Sequence, residues 1–268
     1  MTVPEANGQI LGLEVVLADN PGPLTLDGTR TYLVGERRLA IVDPGPLHPD
    51  HVDEIERAVA GRPVEAVCLT HAHPDHSASA LEVAARVGAP IAAAPETLLR
   101  LDIEGRGLLD GDSIEVDSGD THLDALHTPG HSGDHLSYLW QPSMALFTGD
   151  LVLGEGSSMV AHPDGSVGAY LASLDRLISI NPTLILPGHG EPVRDAVGKL
   201  REYHDHRLGR HRQIVEAVTV RGARTVSAIR ASVYGELPDD RLKEAAELSI
   251  RAHLDYVRSS GPGDSATR

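Results

Sequence analysis

Thr70-His71-Ala72-His73-Pro74-Asp75-His76 places three histidines and a carboxylate in six consecutive positions, directly after the apolar run Val64-Glu65-Ala66-Val67-Cys68-Leu69. Such a run reads as a buried strand, and the loop leaving a strand's carboxyl end is where open α/β sheets place their chemistry. Neutral imidazole and carboxylate are ligands that borderline-soft divalent metals such as zinc accept. His71 and His73 are two apart, so from an extended loop they point the same way. Asp75 and His76 follow and turn to a second point. The spacing suggests two adjacent metal positions, one held by His71 and His73, the other by Asp75 and His76.

Upstream, residues 13–18, 31–35 and 38–42 read as strands, with the breakers Pro21, Gly22, Pro23 and Gly28 between the first two. The third runs into Asp43-Pro44-Gly45, where Asp43 is either a turn-former or a carboxylate behind a metal-bound histidine. Residues 49–60 carry Val52, Ile55, Ala58 and Val59 at helical spacing. Downstream, the pattern predicts a helix over 77–87, starting just after His76 and closed by Gly88 and Pro90. Its positive end would lie near Asp75. Residues 91–94, 114–116, 122–127, 135–140, 144–148 and 183–186 are short strand candidates, and 167–178 form an amphipathic helix. Three more strand ends carry ligand-type residues: Thr128-Pro129-Gly130-His131, Thr148-Gly149-Asp150 and Pro187-Gly188-His189-Gly190. A lone histidine in any of them would be ordinary. Their joint appearance after strands points to a metal site.

The 268 residues suffice for one large domain, or one domain plus an appendage. Hydrophobic and charged contents of 41% and 23% are those of a soluble globular chain, and with 3% aromatics the core must be built from Leu, Val, Ile and Ala. A net charge of −16 argues against wholesale binding to nucleic acid or anionic membrane. That charge is uneven: residues 198–230 hold eight Lys or Arg against three Asp or Glu, a local +5 against −21 elsewhere. The stretch is either a solvated helix face or a patch that steers an anionic substrate. Cys68, the single cysteine, excludes an intramolecular disulfide and reads as a small buried hydrophobe. The opening MTVPEANGQI lacks the basic and apolar regions of a signal peptide, and no apolar stretch approaches the ~18 residues of a bilayer span, so a cytoplasmic location with no membrane partner is expected. After His189 the pattern is helical, over 191–220, 225–235 and 241–257, and 259–268 reads as a disordered tail.

The set His71, His73, Asp75, His76, His131, Asp150 and His189, in this order and after a strand ending in Asp43, resembles the metallo-β-lactamase superfamily. The resemblance implies an α/β fold, an αββα sandwich with metals at one edge between the sheets. It also implies His71, His73 and His131 on one metal, Asp75, His76 and His189 on the other, and Asp150 bridging. The expected cofactor is two Zn(2+), with iron or manganese as alternatives. The expected domains are 1–192 (catalytic), 193–258 (a small, mostly helical, winged-helix-like domain) and the tail.

A narrower likeness covers nearly the whole chain. "NPGPLTLDGTRTYLVG", "DHLSYLW", "GDLVLGEGSS", "LPGHGEPV" and "YHDHR" are similar to the β-lactamase-like protein 2 group, except that Arg30 stands where the group usually has Asn. This likeness implies that Ser157, Ser158 and His206 line the substrate pocket. The group includes single-strand RNA endonucleases, and related enzymes cleave acyl thioesters. The implied function is a dinuclear zinc hydrolase using a metal-bridging hydroxide on an anionic phosphodiester or thioester, with Asp75 orienting the nucleophile and passing on its proton. The partner would be a small anionic substrate or short single-stranded RNA. Two other classes are open: a mononuclear iron thiol dioxygenase on the same fold, and a non-enzymatic nucleic-acid-binding module using the C-terminal helices.

Overall fold

Two β-sheets face each other across a shared apolar layer, and each carries helices on its outer side. The computed structural model describes residues 5–6, 9–117, 119 and 121–260. Its first half runs β1 (Glu5–Ala6), β2 (Gln9–Ile10), β3 (Leu13–Leu17), β4 (Arg30–Val34), β5 (Leu39–Val42), α1 (Pro49–Val59), β6 (Val64–Cys68), α2 (Pro74–Ser77), α3 (Ala80–Val87), β7 (Ile91–Ala93), α4 (Pro95–Leu101) and β8 (Arg106–Gly107). The second half runs β9 (Ser113–Glu115), β10 (His122–His127), β11 (Leu136–Gln141), β12 (Ala145–Gly149), α5 (Val167–Ile180), β13 (Leu184–Pro187), α6 (Ala196–Thr219), α7 (Val226–Tyr234) and α8 (Asp240–Ser260). One sheet has the order β3-β4-β5-β6-β7-β8, the other β13-β12-β11-β10-β9.

The inner layer joins Tyr32, Val42 and Cys68 of the first sheet to Tyr138, Phe147 and Leu186 of the second. Outside the first sheet, Val52 and Ile55 of α1 and Val83 of α3 pack on Leu33, Ile41 and Val67. Outside the second, Tyr170 and Leu174 of α5 and Leu200 of α6 pack on Leu146 and Ile185. Alternate strand residues thus point to two different apolar layers, which is why these strands are apolar throughout rather than alternating. The result is the expected αββα sandwich.

Register decides where chemistry can sit. β5 and β6 are parallel, as are β12 and β13. Each sheet therefore brings neighbouring carboxyl ends together at one edge, where turns rather than ladders continue the chain. Asp43 and Thr70 leave one sheet there, and Asp150 and His189 leave the other. The His131 turn reaches the same edge because Gly130 (φ 148) lies against α5, where an added Cβ would stand 2.4 Å from the Tyr170 Cα.

Three local expectations change. The helix expected over 77–87 is two pieces: Pro74 starts α2 at the first helical position, and α3 begins only at Ala80. The break falls where Ser79 Oγ donates to the Pro44 carbonyl at 2.6 Å, tying the chain to the Asp43 turn. Asp75 and His76 therefore sit on a helical turn, not in the loop before a helix. α4, opened by Pro95, was not expected. The last helix runs to Ser260, so Ser259 and Ser260 are helical rather than part of a tail, and 261–268 lie outside the described residues.

The 24-residue α6 contributes to two apolar clusters. Its first half, with Ala196, Leu200 and Tyr203, packs with α5, and its second half, with Ile214 and Ala217, packs on Ile229 of α7 and Ile250 of α8. Among the described residues no strand follows β13.

Candidate metal centre

The seven side chains expected as ligands meet at the shared sheet edge. His71, His73, His131 and Asp150 each bring one ligand atom within 4.8 Å of the others, and Asp75, His76, Asp150 and His189 do the same. Asp150 belongs to both groups. His73 Nδ1 lies 2.9 Å from His71 Nε2 and 3.0 Å from His131 Nε2. In the second group, His76 Nε2 lies 3.2 Å from His189 Nε2, and Asp150 Oδ1 stands 3.2 and 3.3 Å from these two nitrogens. Asp75 Oδ2 is 3.3 Å from His189 Nε2.

The outer ring nitrogens show what these groups are built to hold. His131 Nδ1 donates to the Met159 carbonyl (2.8 Å), His189 Nδ1 to the Gly28 carbonyl (3.0 Å) and His76 Nδ1 to Asp43 Oδ2 (2.8 Å). His71 Nδ1 donates to Thr70 Oγ1 (2.9 Å), whose own proton goes to Asp43 Oδ2 (2.8 Å). With the proton fixed on Nδ1, each of these rings turns an Nε2 lone pair inward in its neutral form. Lone pairs facing one another at about 3 Å repel unless a cation lies among them. Asp150 Oδ1 is buried there without a hydrogen-bond partner. Neutral imidazoles with two carboxylates form the nitrogen and oxygen donor set of a divalent metal, and the residues fit two ions.

Electrostatics keep His71 and His73 in that neutral form. Burial pushes His71 well below the usual imidazole range, and burial with His131 lowers His73, so both rings stay neutral. His76 goes the other way: burial lowers it, but Asp150 and Asp43 outweigh burial and hold it well above that range. Burial would raise Asp75 and Asp150, yet the surrounding imidazoles keep both below the usual carboxylate range.

These shifts set a pH dependence for the metal-free protein. His76 exceeds the ordinary 6.5 when folded, so its stabilisation is complete below 6.5 and is lost as pH rises through its raised value. His71 and His135 lie well below 6.5 when folded, so the unfolded chain takes up their protons first and stability falls on acidification. The metal-free thermal midpoint is expected to peak near neutrality and to decline on the alkaline side. Bound zinc requires a neutral Nε2 on His76 and should abolish the alkaline decline. Thermal scans from about pH 5 to 9 with and without zinc check this. An identical alkaline decline in both would count against carboxylates sharing the His76 proton.

Asp43 is the carboxylate behind the histidines. It adopts a left-handed backbone (φ 52) and accepts from Thr70 N, Thr70 Oγ1 and His76 Nδ1, each at 2.8 Å. Arg30 is buried, clasps Asp27 with two 2.9 Å bonds and pairs with Glu191, and its amide donates to the Gly188 carbonyl at 2.8 Å. It thus clamps the turn carrying His189. Gly188 has no room for a side chain: a Cβ would stand 2.5 Å from His76 Cε1.

The ligands open onto a cleft of ≈ 350 Å³ walled by Leu24, Leu26, Leu153 and Met159, with Ser157 at its rim and His73, Asp75, His131 and Asp150 facing it. Ser158 borders the cleft, but its hydroxyl turns away and donates to the Asp150 carbonyl at 2.5 Å. His206 lies in an adjoining hollow of ≈ 240 Å³ with Arg210, Tyr234 and Leu242, which shares Ser157, Ser158 and Met159 with the cleft. A larger hollow, ≈ 950 Å³, follows β3 and touches none of the seven ligands. Half of the basic stretch is engaged within the chain: Arg207 is buried, Arg221 pairs with Glu216, Arg230 with Glu247 and Lys199 with Glu202, while Arg201, Arg212 and Arg224 are exposed.

Sequence reading gave no role to Thr70, Asp134 or His135. Asp134 Oδ2 accepts from Ala72 N (3.0 Å) and Thr97 Oγ1 (2.8 Å), fixing the His71-x-His73 loop. His135 lies 5.2 Å from His71, ring to ring, and its Nδ1 meets Thr128 Oγ1 at 3.0 Å. Only Thr70 left a signal, a hydroxyl adjoining the first histidine.

Imidazoles and carboxylates around an open cleft suit a metal-dependent hydrolase. Residues 24–189 match the metallo-beta-lactamase superfamily, and the chain belongs to that superfamily. It is 35% identical over 242 residues to the atrochrysone carboxyl ACP thioesterase of Aspergillus chevalieri, covering 87% of this chain and 76% of that one. The lactamase-like protein aptB of Emericella nidulans is 35% identical over 269 residues, covering 94% and 84%. A beta-lactamase-like protein 2 homolog of Caenorhabditis elegans is 31% identical, covering 83% and 76%. Among solved structures, a metallo-beta-lactamase family protein of Thermus thermophilus superposes with a TM-score of 0.75 at 22% identity, covering 93% and 94%.

Proposed function

We propose that the protein is a dinuclear zinc hydrolase of small acyl thioesters that carry an anionic end. The observation that carries this reading is the pair of ligand groups sharing Asp150 at the floor of an apolar-walled cleft. Two bound ions would make a water nucleophile available at neutral pH and offset negative charge on the carbonyl oxygen. The walls formed by Leu24, Leu26, Leu153 and Met159 favour an acyl chain over a phosphate chain. Asp75 is the more exposed of the two carboxylates, 29% against 13% for Asp150. It is placed to orient the attacking water, accept its proton and deliver that proton to the departing sulfur as the C–S bond breaks. Arg210, which has no carboxylate partner among the described residues, edges the adjoining hollow and suits the anionic end.

The thioesterase named among the relatives supports this substrate class. Short RNA suits the chain less well, because the net charge is −16 and a polyanion is repelled by it. A single-iron dioxygenase would leave one of the two ligand groups without a task.

The test is a hydrolysis panel on zinc-loaded protein: acyl-coenzyme A and acyl-phosphopantetheine thioesters, lactones, β-lactams and short single-stranded RNA, with elemental analysis alongside. Thioesters should turn over fastest, at rates nearly indifferent to salt, with about two zinc ions per chain. RNA cleavage falling steeply with salt, without thioester turnover, would overturn the substrate assignment. One iron per chain with oxygen uptake on thiols would overturn the reaction class.

A further inference from the structure

We infer that α6 braces the metal centre: Tyr203 and Arg207 hold the 150–159 segment where it supplies Asp150 and seats His131. This rests on the metal reading of the site and not on the choice of substrate. The segment lies in no sheet ladder and no helix, so its position depends on contacts from outside it. Inside it, Ser158 Oγ donates to the Asp150 carbonyl, and the Met159 carbonyl accepts from His131 Nδ1 at 2.8 Å. A shift of Ser158 or Met159 therefore moves one ligand directly and releases the ring orientation of another.

The outside contacts come from the Tyr203-His204-Asp205-His206-Arg207 motif and from α5 beneath it. Tyr203 Oη accepts from Leu153 N at 3.1 Å and donates to the Leu153 carbonyl at 3.2 Å. Arg207 Nη2 donates to the Ser158 carbonyl at 2.6 Å. The Arg207 guanidinium lies 4.9 Å from the Tyr170 ring centre, and Tyr170 Oη donates to the Leu151 carbonyl at 2.6 Å. Three points of the segment, at 151, 153 and 158, are thus fastened to α5 and α6.

The energetics of Arg207 argue against a purely structural post. Its residue exposure is 4%, no carboxylate pairs with it among the described residues, and its Nε has no hydrogen-bond partner. A buried cation so placed is poorly compensated, and an apolar side chain of similar length would suit the packing at least as well. A local rule broken this way marks a position held for the site rather than for the fold.

The experiment replaces the native metal with cobalt(II), whose visible spectrum reports ligand geometry. It compares the parent with Arg207→Met, Arg207→Lys, Tyr203→Phe and, as a control, Arg230→Met, which breaks the Glu247 pair in the same helical region. Arg207→Met and Tyr203→Phe should change the cobalt spectrum and surrender metal to a chelator about 10- to 100-fold more readily. Their kcat should fall with KM nearly constant, and Arg207→Lys should recover part of the loss. The thermal midpoint of Arg207→Met should be unchanged or higher. Parental spectra and chelator profiles in both variants would overturn the brace, as would an equal spectral change in Arg230→Met. Should Arg207→Met fail to fold, Tyr203→Phe and Arg207→Lys carry the same decision. A parent that takes up no cobalt or zinc overturns the metal reading itself, a failure visible before any variant is compared.

Discussion

Asp150→Asn is expected to abolish nearly all turnover while leaving the sandwich folded. Asp150 is the one side chain common to both ligand groups, with Oδ1 3.2 Å from His76 Nε2 and Oδ2 3.7 Å from His131 Nε2. Asparagine keeps its shape but replaces one donor oxygen with an amide nitrogen that has no lone pair to give. It also removes one of two negative charges among five imidazoles, so holding two divalent ions becomes costlier at both positions. Loss of an outer partner costs about 10- to 100-fold in affinity or activity, and loss of a shared ligand should exceed the upper end of that range. Metal content should fall to one ion or fewer per chain. The Asp150 carbonyl, which accepts from Ser158 Oγ, is untouched, so the local chain path should persist. Elemental analysis, circular dichroism and turnover on the best thioester check the three expectations together. Near-parental turnover with a full metal complement would remove Asp150 from its shared role.

The candidate ligands were legible because each couples two signals that chemistry forces to coincide. A histidine or aspartate needs a strand end to face a common centre, and strands buried on both faces announce themselves by apolar runs such as 64–69. Asp43 stayed ambiguous because a left-handed turn and a carboxylate aimed at a histidine ask for the same residue; the three donors around it show that it is both. α4 was illegible because its one buried residue is Thr97, so no apolar face shows in the sequence. The basic stretch stayed open between two readings for a different reason. A net charge sums residues without regard to partners, and Arg207 turns inward to a carbonyl 49 positions away. Asp134 also works through long-range contacts, to Ala72 and Thr97, and no local pattern records such contacts.

Asp43→Asn should disable both candidate metal positions at once without any of the candidate ligands being changed. Asparagine tolerates the left-handed backbone at φ 52, where alanine would add strain, so the fold should survive the substitution. Its oxygen can still accept from Thr70 N. Its amide nitrogen then occupies the place of Oδ2, facing Thr70 Oγ1 and His76 Nδ1, both of which now donate to that oxygen. An N–H there can only donate, so His76 must offer a lone pair on Nδ1 and move its proton to Nε2. Thr70 Oγ1, receiving the other N–H, is free to donate to His71 Nδ1, and that ring reverses as well. Two nitrogens that faced the metals with lone pairs would face them with protons. The same reversal in a Ser-His-Asp triad costs about 10⁴-fold in kcat, and two independent outer-partner losses combine to about 10²- to 10⁴-fold here. Nitrogen-15 shifts of the histidine rings should show Nδ1 unprotonated in His71 and His76, with metal content and turnover falling together. Unchanged ring tautomers accompanied by parental zinc content would show that Asp43 shapes the turn and nothing beyond it.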